Sequence, residues 1–205
     1  MHKLTCGLLV LSLSASYAYA DPPPSGHITI DVQTVNGSGC PSGTAVETSA
    51  DNTSFFVSYS NYLAQVGVGA GPTEFRRNCQ LNILVHVPSG FTFAIAEADY
   101  SGFASLAAGA TAMQRANYYF QGESPTAVVS HLFAGPMSDD WQTMDSTDVA
   151  ALVFAPCGVD RGLNINTELR VSAGTSDPTR TTSWIQMDAT HGSVQNVFHF
   201  AWKRC

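Results

Sequence analysis

Arg76-Arg77-Asn78-Cys79-Gln80-Leu81-Asn82-Ile83-Leu84-Val85-His86-Val87-Pro88-Ser89-Gly90 is the stretch that decides the fold class. Leu81, Ile83, Val85 and Val87 recur at every second position, with Gln80, Asn82 and His86 on the other side and Leu84 as the exception. A period of two describes a strand with one buried and one wet face. Pro-Ser-Gly closes the run as a turn. The stretch therefore reads as a central strand, entered through a basic pair and tied to the body by Cys79.

Outward from it, the same pattern returns. His27 to Val35 alternates Ile28, Ile30 and Val32 with polar neighbours, and Ala45–Thr48 with Ser54–Ser60 reads as a hairpin around Asp51-Asn52 that Asn61 to Val66 extends. Phe91, Phe93 and Ile95 begin a second long strand ending near Tyr100. Ala107 to Gln121 contains helix formers, yet Gly109 and Tyr118-Tyr119-Phe120 favour a strand. Thr126 to Phe133 is a further strand stopped by Gly135-Pro136, and Ser138-Asp139-Asp140-Trp141 reads as a turn. Leu163, Ile165, Leu169 and Val171 alternate with Asn164, Asn166, Glu168 and Arg170. Ser183 to Asp188 is a short strand, and the last one sets Phe198, Phe200 and Trp202 on one face. Ten or more short strands separated by Gly, Pro and Asn turns, with no amphipathic helix, predict an all-β antiparallel sandwich, jelly-roll-like in style. No internal repeat is visible.

The ends carry different information. Lys3, the apolar run Leu8 to Leu13 and the small-x-small site Ala18-Tyr19-Ala20 make residues 1–20 a secretory signal peptide. The apolar run is too short to span a bilayer. Residues 21–26, with Pro22-Pro23-Pro24, form a stiff leader expected to act as a tether, and residues 27–205 form one domain. Without Lys3, eight basic side chains face sixteen acidic ones, a net charge of about −8. Such a balance lacks the basic stripe of a nucleic-acid binder. Only 12% of residues are charged, about half the usual share, so Ser, Thr, Asn, Gln and Gly carry the polarity.

Four cysteines remain after cleavage: Cys40, Cys79, Cys157 and Cys205. An even count in an exported chain argues for two disulfides, with three connectivities open. Cys40–Cys79 and Cys157–Cys205 is the favoured pairing, because each then ties one half of the chain to itself. Either loop would contribute about 3–4 kcal/mol in the chain-entropy model. Closely spaced cysteine pairs of the zinc type are missing, and no cofactor is implied.

Six motifs occur in order: Gly39-Cys40-Pro41-x-Gly43-Thr44, Arg76-Arg77-Asn78-Cys79-Gln80-Leu81, Tyr118-Tyr119-Phe120-Gln121-Gly122, Gly135-Pro136, Pro156-Cys157-Gly158 and Leu163-Asn164-Ile165-Asn166, with Trp202-x-x-Cys205 at the end. From Ile28 to Cys205 the chain resembles the secreted domain of unknown function 4360 family. The resemblance implies an exported, β-rich domain with these four cysteines. It supplies no activity, cofactor or catalytic residue to carry over. Arg77 stands where lysine is frequent in that family, which keeps the charge.

Candidate chemistry is sparse. Glu97 and Asp99, two apart on a strand, share a face, as a pair of hydrolase carboxylates would; solvated acids are the plainer reading. Asp139, Asp140, Asp145 and Asp148 supply oxygens that suit calcium, without the glycine and glutamate of an EF-hand. The histidines His27, His86, His131, His191 and His199 are scattered, and no nucleophile elbow accompanies them. Arg76 and Arg77 suit an anion or an acidic polymer, or else clamp loop carbonyls or Glu74. Asn164, Asn166, Glu168 and Arg170 form the kind of row a shallow sugar-binding face uses. Trp141, in its expected turn, is the tryptophan best placed to stack a sugar ring, whereas Trp202 reads as core. Asn36 and Asn52 begin glycosylation sequons. The expectation is a secreted, non-enzymatic sandwich that binds an extracellular or cell-envelope polymer, carbohydrate first. A self-assembling structural protein and a hydrolase with acids converging in the fold are the alternatives.

Overall fold

The computed structural model describes residues 20–40, 44–124, 128–147, 151–187 and 196–205. The signal peptide therefore falls, except for Ala20, outside the described residues, as do Asp148, Asp188 and His191. Twelve strands are described: β1 Thr29–Asn36, β2 Ala45–Thr48, β3 Ser54–Ser58, β4 Tyr62–Gly67, β5 Arg76–His86, β6 Phe91–Leu106, β7 Thr111–Phe120, β8 Val129–Ala134, β9 Met137–Ser146, β10 Gly162–Ser172, β11 Thr182–Met187 and β12 Asn196–Arg204. They form a five-stranded sheet in the order β1-β5-β10-β7-β8 and a seven-stranded sheet containing the rest. Every pairing is antiparallel. The all-β sandwich expected from alternation is the fold observed, and Cys40–Cys79 and Cys157–Cys205 are the disulfides, with Cα separations of 5.5 and 5.9 Å.

Strand β6 organises the larger sheet. Its first half pairs with β12 (Phe91–Asp99), its second with β11 (Gly102–Ser105), and β9 runs along the opposite edge from Glu97 to Leu106. At 16 residues it passes well beyond the expected end near Tyr100. The register with β12 slips between His199 and Phe200, which pair with Glu97 and Ile95 and leave Ala96 as a bulge. One extra residue swaps the faces of everything after it. Before the bulge, Phe93 is buried on the inner side; after it, Ala98, Tyr100, Ala104 and Leu106 are. Glu97 and Asp99 consequently point outward.

The sheets meet over an aromatic core. Phe55 stacks on Phe198 at 4.8 Å, and Phe93 meets the edge of Phe120 across the sandwich at 5.4 Å. Tyr62 of β4 lies 3.1 Å, hydroxyl to hydroxyl, from Thr167 of β10, satisfying two buried polar groups at once. Trp202 is core, as expected, and donates Nε1–H to the Asn52 carbonyl.

Several local expectations are corrected. Residues 138–141 are not a turn but part of β9, and the chain crosses from one sheet to the other at Gly135-Pro136 instead. Trp141 is 3% exposed and packs against Phe133. Strand β4 does not extend the β2–β3 hairpin; it pairs with β11. The stiff leader, expected as a tether, is bonded to the body: Asp21 pairs with Trp202, and Asn52 donates Nδ2–H to the carbonyls of Pro24 and Gly26. Both Asn52 amide hydrogens are thus engaged in a buried site, so this sequon is closed to a glycan in the folded protein. Asn36 is exposed at the end of β1.

Candidate functional site

The outer face of the five-stranded sheet is built by the alternation of three neighbouring strands. On β10, Leu163, Ile165, Thr167, Leu169 and Val171 turn inward, so Asn164, Asn166, Glu168 and Arg170 turn out. On β5 the same parity puts Arg76, Asn78, Gln80 and Asn82 outside. On β7, Ala112, Gln114, Ala116 and Phe120 are buried, leaving Met113, Arg115, Asn117 and Tyr119 outside. The registers stack these into rows: Asn82, Asn164 and Tyr119; Gln80, Asn166 and Asn117; Asn78, Glu168 and Arg115; Arg76, Arg170 and Met113.

Hydrogen bonds fix part of this surface. Asn82 Nδ2 donates to Asn164 Oδ1 at 2.8 Å, and Asn166 Nδ2 donates to the Tyr119 hydroxyl at 3.4 Å. Glu168, only 8% exposed, is clamped between Arg76 and Arg170. The Arg170 contact is 2.9 Å from Oε1, but it lacks hydrogen-bond geometry and is a plain ion pair. Burial pushes the Glu168 carboxyl up, and the two guanidiniums more than offset it, so its pKa lies below the ordinary glutamate value. The Arg76 guanidinium, in turn, is raised by its hydrogen bond to Glu168.

A shallow depression of about 260 Å³ lies at the centre, lined by Arg76, Asn78, Gln80, Arg115, Asn117 and Asn166 among others. Gln80, Arg115 and Asn117 line the depression and make no side-chain hydrogen bond or ion pair with the described residues. Three arginines against one glutamate give this patch a charge of about +2 on a chain whose net charge is −7.

The fold thus gathers Arg76, Asn164, Asn166, Glu168 and Arg170 and leaves two other expected residues apart. Arg77 points to the opposite side of β5, where its Nε donates to the Leu63 carbonyl and Nη2 pairs with Glu74 at 3.0 Å. That is the clamp reading of the basic pair. Trp141 lies inside, with no face left for stacking. Asn78, Gln80, Arg115, Asn117 and Tyr119 were not singled out from the sequence. The outer alternation Met113-Arg115-Asn117-Tyr119 is the signal that would have found three of them.

The acidic residues divide. Asp139 and Asp140 are exposed on β9, whereas Asp145 is buried and accepts hydrogen bonds from Tyr118 at 2.8 Å and His131 at 2.7 Å. The three described members of the proposed calcium quartet therefore form no common cage. Glu97 and Asp99 meet His199 on the outer face of the larger sheet, with one ligand atom of each within 4.8 Å of the others. His199 Nε2 stands 3.1 Å from Asp99 and 3.9 Å from Glu97. One imidazole and two carboxylates suit a divalent cation, and the same geometry serves an exposed ion pair. His86 pairs with Asp31 at 2.8 Å.

No helix of the described residues is long and apolar enough to cross a membrane. Comparison with known proteins agrees with export of the chain. It is 34% identical over 173 residues to an uncharacterized secreted protein of Arthroderma benhamiae, covering 84% of this chain and 69% of that protein. Secretion follows from this relative together with the two disulfides. The enzymatically active domain of bacteriophage CBA120 tailspike protein 4 is 13% identical with a TM-score of 0.28. That superposition covers 84% of this chain but spans only 19% of the tailspike chain, and it carries no argument. The model of a domain of unknown function, DUF4360, matches residues 26–205. On these grounds the chain belongs to the domain of unknown function 4360 family.

Proposed function

We propose that this secreted protein is a non-enzymatic binder of extracellular polysaccharide, and that the outer face of the five-stranded sheet is the surface it uses. The observation that carries the reading is the central depression, where Gln80, Asn117 and Arg115 present donors unpaired among the described residues, beside the fixed Asn166–Tyr119 pair. Amide and guanidinium groups held by rigid strands suit a polyhydroxylated ligand, and Tyr119 offers the aromatic surface that Trp141 does not. Because the patch is positive on an acidic protein, polymers bearing uronate or sulfate groups are favoured over neutral ones.

The assembly alternative is weaker. The edge strand β9 carries exposed Asp139 and Asp140, and such charges discourage edge-to-edge pairing.

Affinity electrophoresis through gels containing polygalacturonate, alginate, β-glucan or soluble chitin derivatives tests the proposal. The acidic polymers are expected to retard the oxidised protein most. Arg115→Ala and Asn117→Ala should each weaken that retardation, the arginine by ten- to a hundredfold, since a hydrogen bond to a charged group is worth about 1.5–3 kcal/mol. Neither should alter Tm. Equal retardation of wild type and both variants, or none in any gel, refutes the assignment.

A further inference from the structure

Between the two sheets, away from the polar face, lies a cavity of about 210 Å³. Folded interiors pack without voids much larger than a water molecule. An apolar cavity of about 150 Å³ already admits benzene. Here the wall includes Ile95, Ala98, Phe120 and Leu163, and Val153, 44% exposed, belongs both to the lining and to the surface. The β6 bulge at Ala96 contributes to the same wall, where its extra residue locally interrupts the pairing of β6 with β12. Bulges recur beside functional sites for this reason.

The polar end is built rather than incidental. Asp145, 5% exposed, is aimed inward from the edge strand β9 and is oriented by Tyr118 and His131. The Tyr118 hydroxyl spends its proton on Asp145, so its oxygen accepts from Tyr100 behind it. Asp145 is the buried carboxylate of the lining; Glu97 turns its carboxylate out toward His199, Glu123 is exposed at the rim, and no lysine or arginine lines the cavity among the described residues. The head of an anionic amphiphile such as a fatty acid would meet the like charge of Asp145 with no lining lysine or arginine among the described residues to offset it.

We infer that this intersheet cavity is a second binding site, for a small apolar molecule bearing a cationic or strongly hydrogen-bond-donating head, with Asp145 as the group that receives the head. The site shares Tyr119 with the polar face but none of the residues that line the central depression, and its test is independent of the polysaccharide reading.

Three probes sharing one ring isolate the head: 1-naphthylmethylamine, 1-naphthylmethanol and 1-naphthoate, each titrated calorimetrically into the oxidised protein at pH 7. The amine is expected to bind at least tenfold more tightly than the carboxylate, with the alcohol between. Asp145→Asn should bring the amine to within about threefold of the alcohol. Val153→Lys changes a half-exposed residue and so leaves Tm unaltered; it should weaken the amine at least tenfold and narrow or reverse the preference over naphthoate. Arg115→Ala should leave all three affinities unchanged. Naphthoate binding as tightly as the amine overturns the inference, as does failure of all three probes to bind below millimolar concentration. An unchanged amine affinity in Val153→Lys overturns the placement.

Discussion

Insertion of one alanine between Ala98 and Asp99 tests how the larger sheet is wired. In the structure Ala96 is the extra residue in β6, and beyond it the ladder with β12 is regular through Ala98 and Asp99, so every later inward position depends on the count. Deleting Ala96 would set Ile95 and Glu97 side by side opposite Phe200 and His199, a regular ladder that keeps every face. With the insertion, regular alternation could continue only by swapping faces from residue 99 onward. Asp99 would then turn into the core while Tyr100 and Leu106 turned out. Loss of burial costs about 1.5–3 kcal/mol for each large apolar side chain. Burying the unpaired carboxylate costs several kcal/mol more. The total, on the order of 10 kcal/mol, rivals the entire net stability of about 5–15 kcal/mol expected of a domain. Urea unfolding followed by tryptophan fluorescence and far-ultraviolet circular dichroism provides the assay, with deletion of Ala96 as the control that keeps the faces. The Ala96 deletion should stay cooperative and within about 2 kcal/mol of wild type, whereas the insertion should show no cooperative transition. An insertion variant that unfolds cooperatively within about 2 kcal/mol of wild type would refute the parity argument.

Other expectations follow from single contacts. Phe198→Ala removes a fully buried ring that stacks on Phe55 and meets the edges toward Tyr100 and Tyr118, and chemical denaturation should report a loss of about 3–5 kcal/mol. Gly102→Ala would place a Cβ 1.9 Å from the Gln186 carbonyl oxygen and 2.7 Å from the Trp141 ring, so the strands must part, at a cost of about 3 kcal/mol by the same measurement. Replacing Cys157 and Cys205 together by serine opens a loop with a sequence separation of 48, and loop-closure entropy predicts a loss of about 4 kcal/mol in urea. The Glu168 carboxyl titrates below its ordinary value of 4.5 in the folded protein. Its stabilisation is therefore complete well above pH 4.5 and is lost as pH falls through the depressed folded value. The Tm difference between wild type and Glu168→Gln should accordingly be largest near pH 7 and shrink below pH 4.5; a difference that grows in acid would reverse the assigned sign.

Much of the fold is legible because half-buried strands announce themselves. β5, β10 and β12 alternate cleanly, and the four cysteines fall where two covalent ties can close. β9 is not legible, since Thr143 and Asp145 share its inward side with Trp141 while Asp139 and Asp140 are exposed. An edge strand with polar residues on both sides has the composition of a turn. β7 is rich in alanine, which blurs helix and strand and hides the outward run of Arg115, Asn117 and Tyr119. The bulge at Ala96 is a property of pairing with a strand a hundred residues away, and no local pattern marks it. For the same reason the meeting of Glu97 and Asp99 with His199, and of Asp145 with Tyr118 and His131, emerges only from the register. The row Asn164, Asn166, Glu168 and Arg170 was visible as one strip. Its neighbours on β5 and β7 turn the strip into a surface.

The polar face itself is tested most directly by the side-chain signals of its own donors. A nitrogen-detected titration of the folded protein with the best-retarding polymer would follow the Gln80, Asn117 and Asn166 amides together with Arg115 Nε–H. The account predicts that these signals shift together and saturate, while His199 and its neighbours on the opposite sheet stay still. Shifts confined to the Glu97, Asp99 and His199 side, or no shift at the four donors at saturating polymer, would contradict it.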